Sequence, residues 1–333
     1  MSRKPLLRLE DLPVWPVTVM RMVAHADAIG CYRENNSRSS LLGVIAMAGY
    51  YKHSGKFAPQ GPILGLLGGI VFSVPTAILY DFALFTVHEM KLRFVCTFVF
   101  GLLLGAVCGA MMCLGKVRSN LLAGIVGFAV SFTGLYVSWT AWLAGILHAL
   151  YPSYRIPGVL QPIQVWKAVL AVNPHGTWSS GGGAATHGVT LWFAWAAEAL
   201  AIVGFGVLLA VGFVRRRPFC ERCEQWCKRE CKLYFAPSLS PNDLKTQLES
   251  GDIRKLEKLA PGNKKQPHYR IHLNSCGVCH QLNTLTLEQI FPRNYRTLIN
   301  KLLLTGEQAS VLRNIEMNQR AAAGANAVPA SAK

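Results

Sequence analysis

The chain has 333 residues, 51% hydrophobic and only 15% charged, with a formal net charge of +17. A soluble protein of this size carries about 25% charged residues, so one soluble globular domain does not account for it. The deficit is local: between Pro62 and Phe213 the only carboxylates are Asp81, Glu89 and Glu198, whereas residues 215–333 carry 20 Lys/Arg against 10 Asp/Glu.

Residues 1–62 form a basic N-terminal segment, with eight Lys/Arg against four Asp/Glu. Its start, MSRKPLLRLEDLPVWPV, has acidic residues and prolines where a signal peptide needs an apolar core, so no signal peptide is expected. Residues 41–51 are apolar but too short to cross a bilayer, and read as an interfacial or re-entrant helix or a small packed collar. Cys31 carries no signal.

Four apolar runs follow, at 63–87, 94–114, 121–147 and 189–214, each near the ~20 residues that span a bilayer. Together they predict a four-helix transmembrane domain over 63–214. Both flanking segments are basic, Arg215-Arg216-Arg217 closes the fourth run, and Lys116 and Arg118 sit in the second turn. The loop between the third and fourth runs holds only Arg155 and Lys167. Positive residues stay on the cytoplasmic side, so both termini are expected there, in a bacterial inner membrane. Lys91 and Arg93 in the first turn disagree mildly. The outer loop contains a predicted amphipathic helix, 162–172, and His148, His175 and His187 fall on that side. Trp139, Trp142, Trp166, Trp178 and Trp192 lie near the proposed outer boundary, where indoles prefer the headgroup level.

Small residues four apart mark packing faces: Gly101, Gly105 and Gly109 in the second run, Gly65 and Gly69 in the first, Ala123 and Gly127 in the third. The spacing does not say whether they pack within the chain or against a second copy. Asp81 and Glu198 interrupt apolar runs, where carboxylates are costly. At 1.5 Å per residue they lie about 10 and about 13 Å from the outer ends of their spans. They are therefore a candidate intramembrane polar site, with Tyr80, Tyr136, Ser138 and Thr140 as neighbours. One reading is a proton-linked or cation site; the other is a polar contact that locks the helices.

Residues 215–319 read as a cytoplasmic domain. Cys220-Glu-Arg-Cys223 and Cys276-Gly-Val-Cys279 are two CxxC pairs separated by 52 residues. Such pairs turn two soft thiolates toward one point, so four can enclose a zinc ion tetrahedrally. The separation is long for a ribbon and implies an inserted helical hairpin. Ser240-Pro241 starts a helix, with Leu244, Leu248, Ile253, Leu256 and Leu259 as its apolar stripe, broken near Gly251. Tyr269, Ile271 and Leu273 alternate up to Cys276, and Leu282, Leu285 and Leu287 follow Cys279, as a strand–knuckle–strand requires. A helical region from Asn294 to about Ile315, in two pieces around Gly306, is expected to complete the module. The Ala/Gly-rich tail, 320–333, is expected to be disordered.

Other chemistries share these residues. CGVCH matches a haem attachment motif, a CxxC can be a redox pair, and an iron–sulfur cluster also takes four cysteines. Cys220, Cys223, Cys227 and Cys231 are spaced as one face of a helix. Cys227 and Cys231 thus offer a second metal set with His280 or His272, or are small buried residues. Cys96, Cys108 and Cys113 read as packing residues. No GxSxG, P-loop or HExxH is present, and the glycines at 181–183 lack a following Lys-Ser/Thr, so no catalytic role is expected.

The sequence therefore reads as a mainly α membrane protein, a four-helix transmembrane bundle with a C-terminal α+β zinc-ribbon-like domain. Zinc would be structural. The expected role is that of a membrane-anchored adaptor or regulatory subunit, docking a protein partner, a second copy or the membrane surface rather than nucleic acid. Its rivals are an ion- or proton-coupled transporter component using Asp81 and Glu198, and a metal or redox sensor using the surplus cysteines.

Overall fold

The computed structural model describes residues 49–87, 89–150, 161–177, 185–263 and 265–325. Cys31, residues 41–48, Trp178, residues 181–183 and the chain beyond 325 lie outside the described residues, as does the side chain of His148.

Four long helices form a bundle: α1 (Gln60–Thr86), α2 (Met90–Leu114), α3 (Asn120–Leu150) and α5 (Gly188–Arg216). All four are long and apolar enough to cross a membrane. Their composition leaves little else to bury against, so close backbone approach holds them together. A Cβ added at Gly105 of α2 would stand 2.3 Å from the carbonyl oxygen of Gly206 in α5, and one at Gly101 would stand 2.7 Å from that of Ile202. The glycine face of α2 thus packs inside the chain, against α5. Ala77, Leu104, Met112, Val130 and Ile202 fill the space between the helices. The outward faces are also apolar: Val71, Phe82, Phe132, Phe193 and Leu200 are exposed.

The short helix α4 (Pro162–Val172) lies where the sequence places it. Pro162 opens its first turn, where a missing N–H costs nothing. Val165 and Val169 bury against Leu143 of α3, beside Trp139, Trp142, Trp192 and Trp195.

Beyond α5 the chain is mostly β. A two-residue strand β1 (Phe219–Cys220) pairs with β2 (Gln225–Trp226). A four-stranded antiparallel sheet follows in the order β3 (Lys228–Phe235), β4 (His268–Ser275), β5 (Asn283–Ile290), β6 (Tyr295–Leu304). Between β3 and β4 come α6 (Pro241–Glu249) and a 3₁₀ turn (Ile253–Lys258), with Gly251 at φ +84° breaking them apart. Ser240 caps α6: its Oγ accepts from the Asp243 N–H at 3.2 Å. Leu244, Leu248, Ile253 and Leu256 cover one face of the sheet, together with Ala309, Leu312 and Ile315 of α7 (Gly306–Ala325).

Four expectations are corrected. Residues 295–304 are a strand, not a helix, because Ile299, Leu302 and Leu304 bury beside Leu285 and Leu287 on the same sheet face. Residues 228–235 are also a strand, with Cys231, Leu233 and Phe235 alternating inward. Cys220, Cys223, Cys227 and Cys231 therefore do not line a helix. Gly49–Tyr51, the described end of the segment read as an interfacial or re-entrant helix or a small packed collar, is extended rather than helical. Leu303 donates to Gly49 O at 2.8 Å and Tyr51 to Lys301 O at 2.9 Å, which adds a short edge strand to β6. Finally, α7 continues through Ala325, past the predicted start of the tail.

Candidate metal centre and bundle pocket

Two tight turns bring the four cysteines together. The first joins β1 to β2: Cys220 is on β1, Cys223 in the turn, and Glu224 closes it at φ 49°. The second joins β4 to β5: Cys276 and Cys279 lie in the turn, and His280 closes it at φ 51°. In each, the residue after the second cysteine takes the left-handed conformation that reverses the chain. The second turn is stapled internally. Cys276 N–H donates to Leu282 O at 3.0 Å, Ser275 Oγ to Asn283 Oδ1 at 2.7 Å, and Asn283 Nδ2 to His280 O at 2.8 Å.

The four Sγ atoms lie within 4.8 Å of one another, and Cys220 Sγ is 3.7 Å from Cys279 Sγ. Four sulfurs held ~2.3 Å from a tetrahedral zinc are ~3.8 Å apart, so the cluster has the dimensions to hold a single metal ion. Among the described residues it is the one group of three or more Cys, His, Asp or Glu side chains that converges in this way. The Gln281 N–H donates toward Cys279 and pulls that thiol down to about 6. Hydrogen bonding to Cys279 pushes Cys223 up to about 12, and burial raises Cys220. A metal ion bound here would displace the thiol protons and take all four sulfurs as thiolates.

The remaining candidates lie outside the four-sulfur cluster. Cys227 is buried behind it against Cys220 and Cys276, and burial pushes its thiol up to about 12. Cys231 is in the sheet core, likewise raised to about 12 by burial. His280 Nδ1 is 3.2 Å from Glu230, which also holds Arg313 at 2.8 Å. His272 Nε2 is 3.3 Å from Glu288.

The centre sits on the seam between sheet and bundle. Trp226 Nε1 donates to Cys113 O at the end of α2 (2.8 Å), and Lys116 reaches Glu224 at 3.0 Å. Arg118 pairs with Glu221 and lies 4.6 Å over the Phe219 ring. Ser54 Oγ also donates to Glu221, at 2.7 Å.

The sheet face turned away from α6 and α7 is basic. A groove of about 720 Å³ runs along it to the end of α5, lined by Arg216, Arg217, Arg229, Lys232, Arg270 and Lys301. Its carboxylate, Glu288, is held by Arg270 at 2.6 Å and by His272. A bulge in β6 leaves both Asn300 and Lys301 opposite Thr286. Burial, and then Arg215, push the Lys301 amine down to about 8.

Toward the opposite end of the bundle, Asp81 and Glu198 line one cavity of about 270 Å³. Ser138 Oγ donates to Asp81 Oδ1 at 2.7 Å, and Tyr80 OH donates to Glu198 Oε1 at 2.5 Å with Thr97 Oγ1 2.9 Å away. Asp81 Oδ2 is buried with no hydrogen-bond partner. Of the neighbours expected from sequence, Tyr80 and Ser138 make these contacts, while the Thr140 hydroxyl donates to Val137 O on its own helix at 2.8 Å. Trp195 and Arg93 also line the cavity. Trp195 was legible three residues before Glu198, on the same helical face; Arg93 was read only as a loop charge.

Comparison of the chain with family models, with curated proteins and with solved structures gave no match.

Proposed function

We propose that the chain is a membrane-anchored adaptor or regulatory subunit whose cytoplasmic module is clamped by a structural zinc ion at Cys220, Cys223, Cys276 and Cys279. The observation that carries this reading is the spacing of the four sulfurs, all within 4.8 Å. That spacing suits one ion. A multi-iron cluster places metals and sulfides between its cysteines and needs them further apart. Haem attachment would use Cys276 and Cys279 alone and leave the convergence of Cys220 and Cys223 unexplained.

Membrane anchoring is supported by four apolar helices with apolar outward faces. The cytoplasmic assignment is supported by charge: Lys116, Arg118 and Arg215-Arg216-Arg217 all lie at the module's end of the bundle. The basic groove at this end suits an acidic segment of a protein partner or the anionic bilayer surface.

The test is metal analysis and X-ray absorption on the full chain in lipid nanodiscs. One zinc per chain with four sulfurs at ~2.3 Å is expected; an iron chromophore, or no metal at all, would overturn the clamp. For docking, Arg229→Glu with Lys232→Glu should abolish capture of the partner, or of anionic vesicles, that the native chain retains. Capture unaffected by charge reversal would refute the groove.

A second reading, an ion- or proton-coupled transport component, is favoured by the buried pairs Asp81–Ser138 and Glu198–Tyr80. A proton-dependent flux in liposomes, lost in Asp81→Asn and Glu198→Gln at unchanged protein level, would support it.

A further inference from the structure

We propose that the cavity between α1, α2, α3 and α5 binds a small protonated amine carrying an apolar group. Two kinds of wall converge there. One is acidic: Asp81 and Glu198 face the same space. Arg93 lines it too, with its Nε donating to Val87 O at 2.7 Å, so two carboxylates face one guanidinium across the cavity. The other wall is aromatic. Trp139 stands edge-to-face with Trp142 at 5.6 Å and with Trp195 at 5.1 Å, and all three indoles line the cavity.

Each feature narrows the ligand. Indole faces attract cations, and more so where water is excluded. A hard metal ion takes six or more oxygens; here the Tyr80, Thr97 and Ser138 hydroxyls are engaged with one another's helices and the carboxylates, which leaves mainly two carboxylates and the Thr177 hydroxyl beside three indoles. A quaternary ammonium has no N–H, yet Asp81 is 5% exposed and its Oδ2 lacks a donor. An ammonium supplies three donors: one can meet Oδ2, while the charge lies between the carboxylates and the ring faces. Tyr80 holds Glu198 Oε1 and Ser138 holds Asp81 Oδ1, so both carboxylates are oriented before the ligand arrives. At about 270 Å³ the space is small for a ligand cleft, which sets the size of the apolar group near a single ring.

This inference does not depend on the cysteine centre, and it holds whether or not the chain moves ions. Binding is read without a gradient, so loss of binding and loss of flux are separable results.

The experiment is calorimetric titration of the full chain in nanodiscs, with empty nanodiscs subtracted. Three probes of similar shape are used: phenethylamine, benzyltrimethylammonium and 2-phenylethanol. Saturable one-to-one binding of phenethylamine is expected, with the other two weaker by at least about tenfold. Asp81→Asn, which keeps the Ser138 contact, should reduce the amine to the affinity of the alcohol. If that variant does not reconstitute, Glu198→Gln and Trp142→Leu are read in the same way. The proposal is overturned if the native chain binds the alcohol as well as the amine or binds neither. It is also overturned if the folded variants keep the native preference.

Discussion

Glu288 shows what a single side chain contributes in the basic groove. Its carboxyl is held down to about 2, first by the hydrogen bond with His272 and then by Arg270. The folded value lies below the ordinary 4.5, so its stabilisation is complete above about 4.5 and drains away as pH falls toward about 2. Glu288→Gln should therefore cost about 1–2 kcal/mol at neutral pH, after allowance for solvent screening, and flatten the loss of stability in that window. Thermal unfolding of the two chains across pH 2–6 measures both. The cysteines divide just as sharply. Cys276→Ser should leave the chain without stoichiometric zinc, whereas Cys231→Ala should retain the metal and lose only about 1 kcal/mol from a small cavity. Metal content per chain distinguishes them. The four sulfurs were legible one by one, because CxxC is a local signal. Their meeting was expected from the pairing of two such turns, but not the path that achieves it, because the 52 residues between the pairs hold five structural elements, β2, β3, α6, the 3₁₀ turn and β4, that a spacing rule does not see.

At the level of elements, legibility followed the length of the pattern. A bilayer-length apolar run has few alternatives, and α1, α2, α3 and α5 begin and end within a few residues of the predicted spans. Strands β4 and β5 were visible as alternation. β6 was not, because its bulge between Ile299 and Leu302 breaks the two-residue period and leaves a spacing that also suits a helix. β3 was hidden differently: cysteines spaced by three, four and four imitate a helical face, although Cys231, Leu233 and Phe235 alternate correctly for a strand. The glycine face of α2 was legible as a face, but its partner was not. That partner makes a clear prediction. Gly105→Ala drives a Cβ into the Gly206 backbone and should cost at least about 2 kcal/mol or prevent assembly of α2 on α5. Gly212→Ala meets nothing within 4 Å and should be near neutral. Unfolding midpoints in the same detergent compare the two.

For the whole molecule, topology and metal are linked through the seam. If the proposed orientation holds, an impermeant maleimide added with chelator outside intact cells should not label Cys223, and should label it once the membrane is opened in the presence of chelator; labelling from outside would reverse the topology. Removing the metal should do more than loosen a turn. The β1–β2 hairpin carries Glu221, Glu224 and Trp226, which meet Arg118, Lys116 and the end of α2. Chelation should therefore release amide protection in the hairpin and at the end of α2 together, while the amides between Asp81 and Thr86 exchange as before. Hydrogen exchange with and without chelator reads this directly.

The short strand at Gly49–Tyr51 bears on how such a chain is made. It emerges from the ribosome ahead of every helix in the bundle, yet it pairs with β6, the last strand of the sheet. During synthesis its N–H and C=O groups must wait, unpaired, while all four long helices are delivered and packed. The sheet edge is thus covered around Leu302 by the oldest part of the described chain. A truncated product that stops before β6 would leave that strand searching for another edge, and a neighbouring copy would be the nearest source of one.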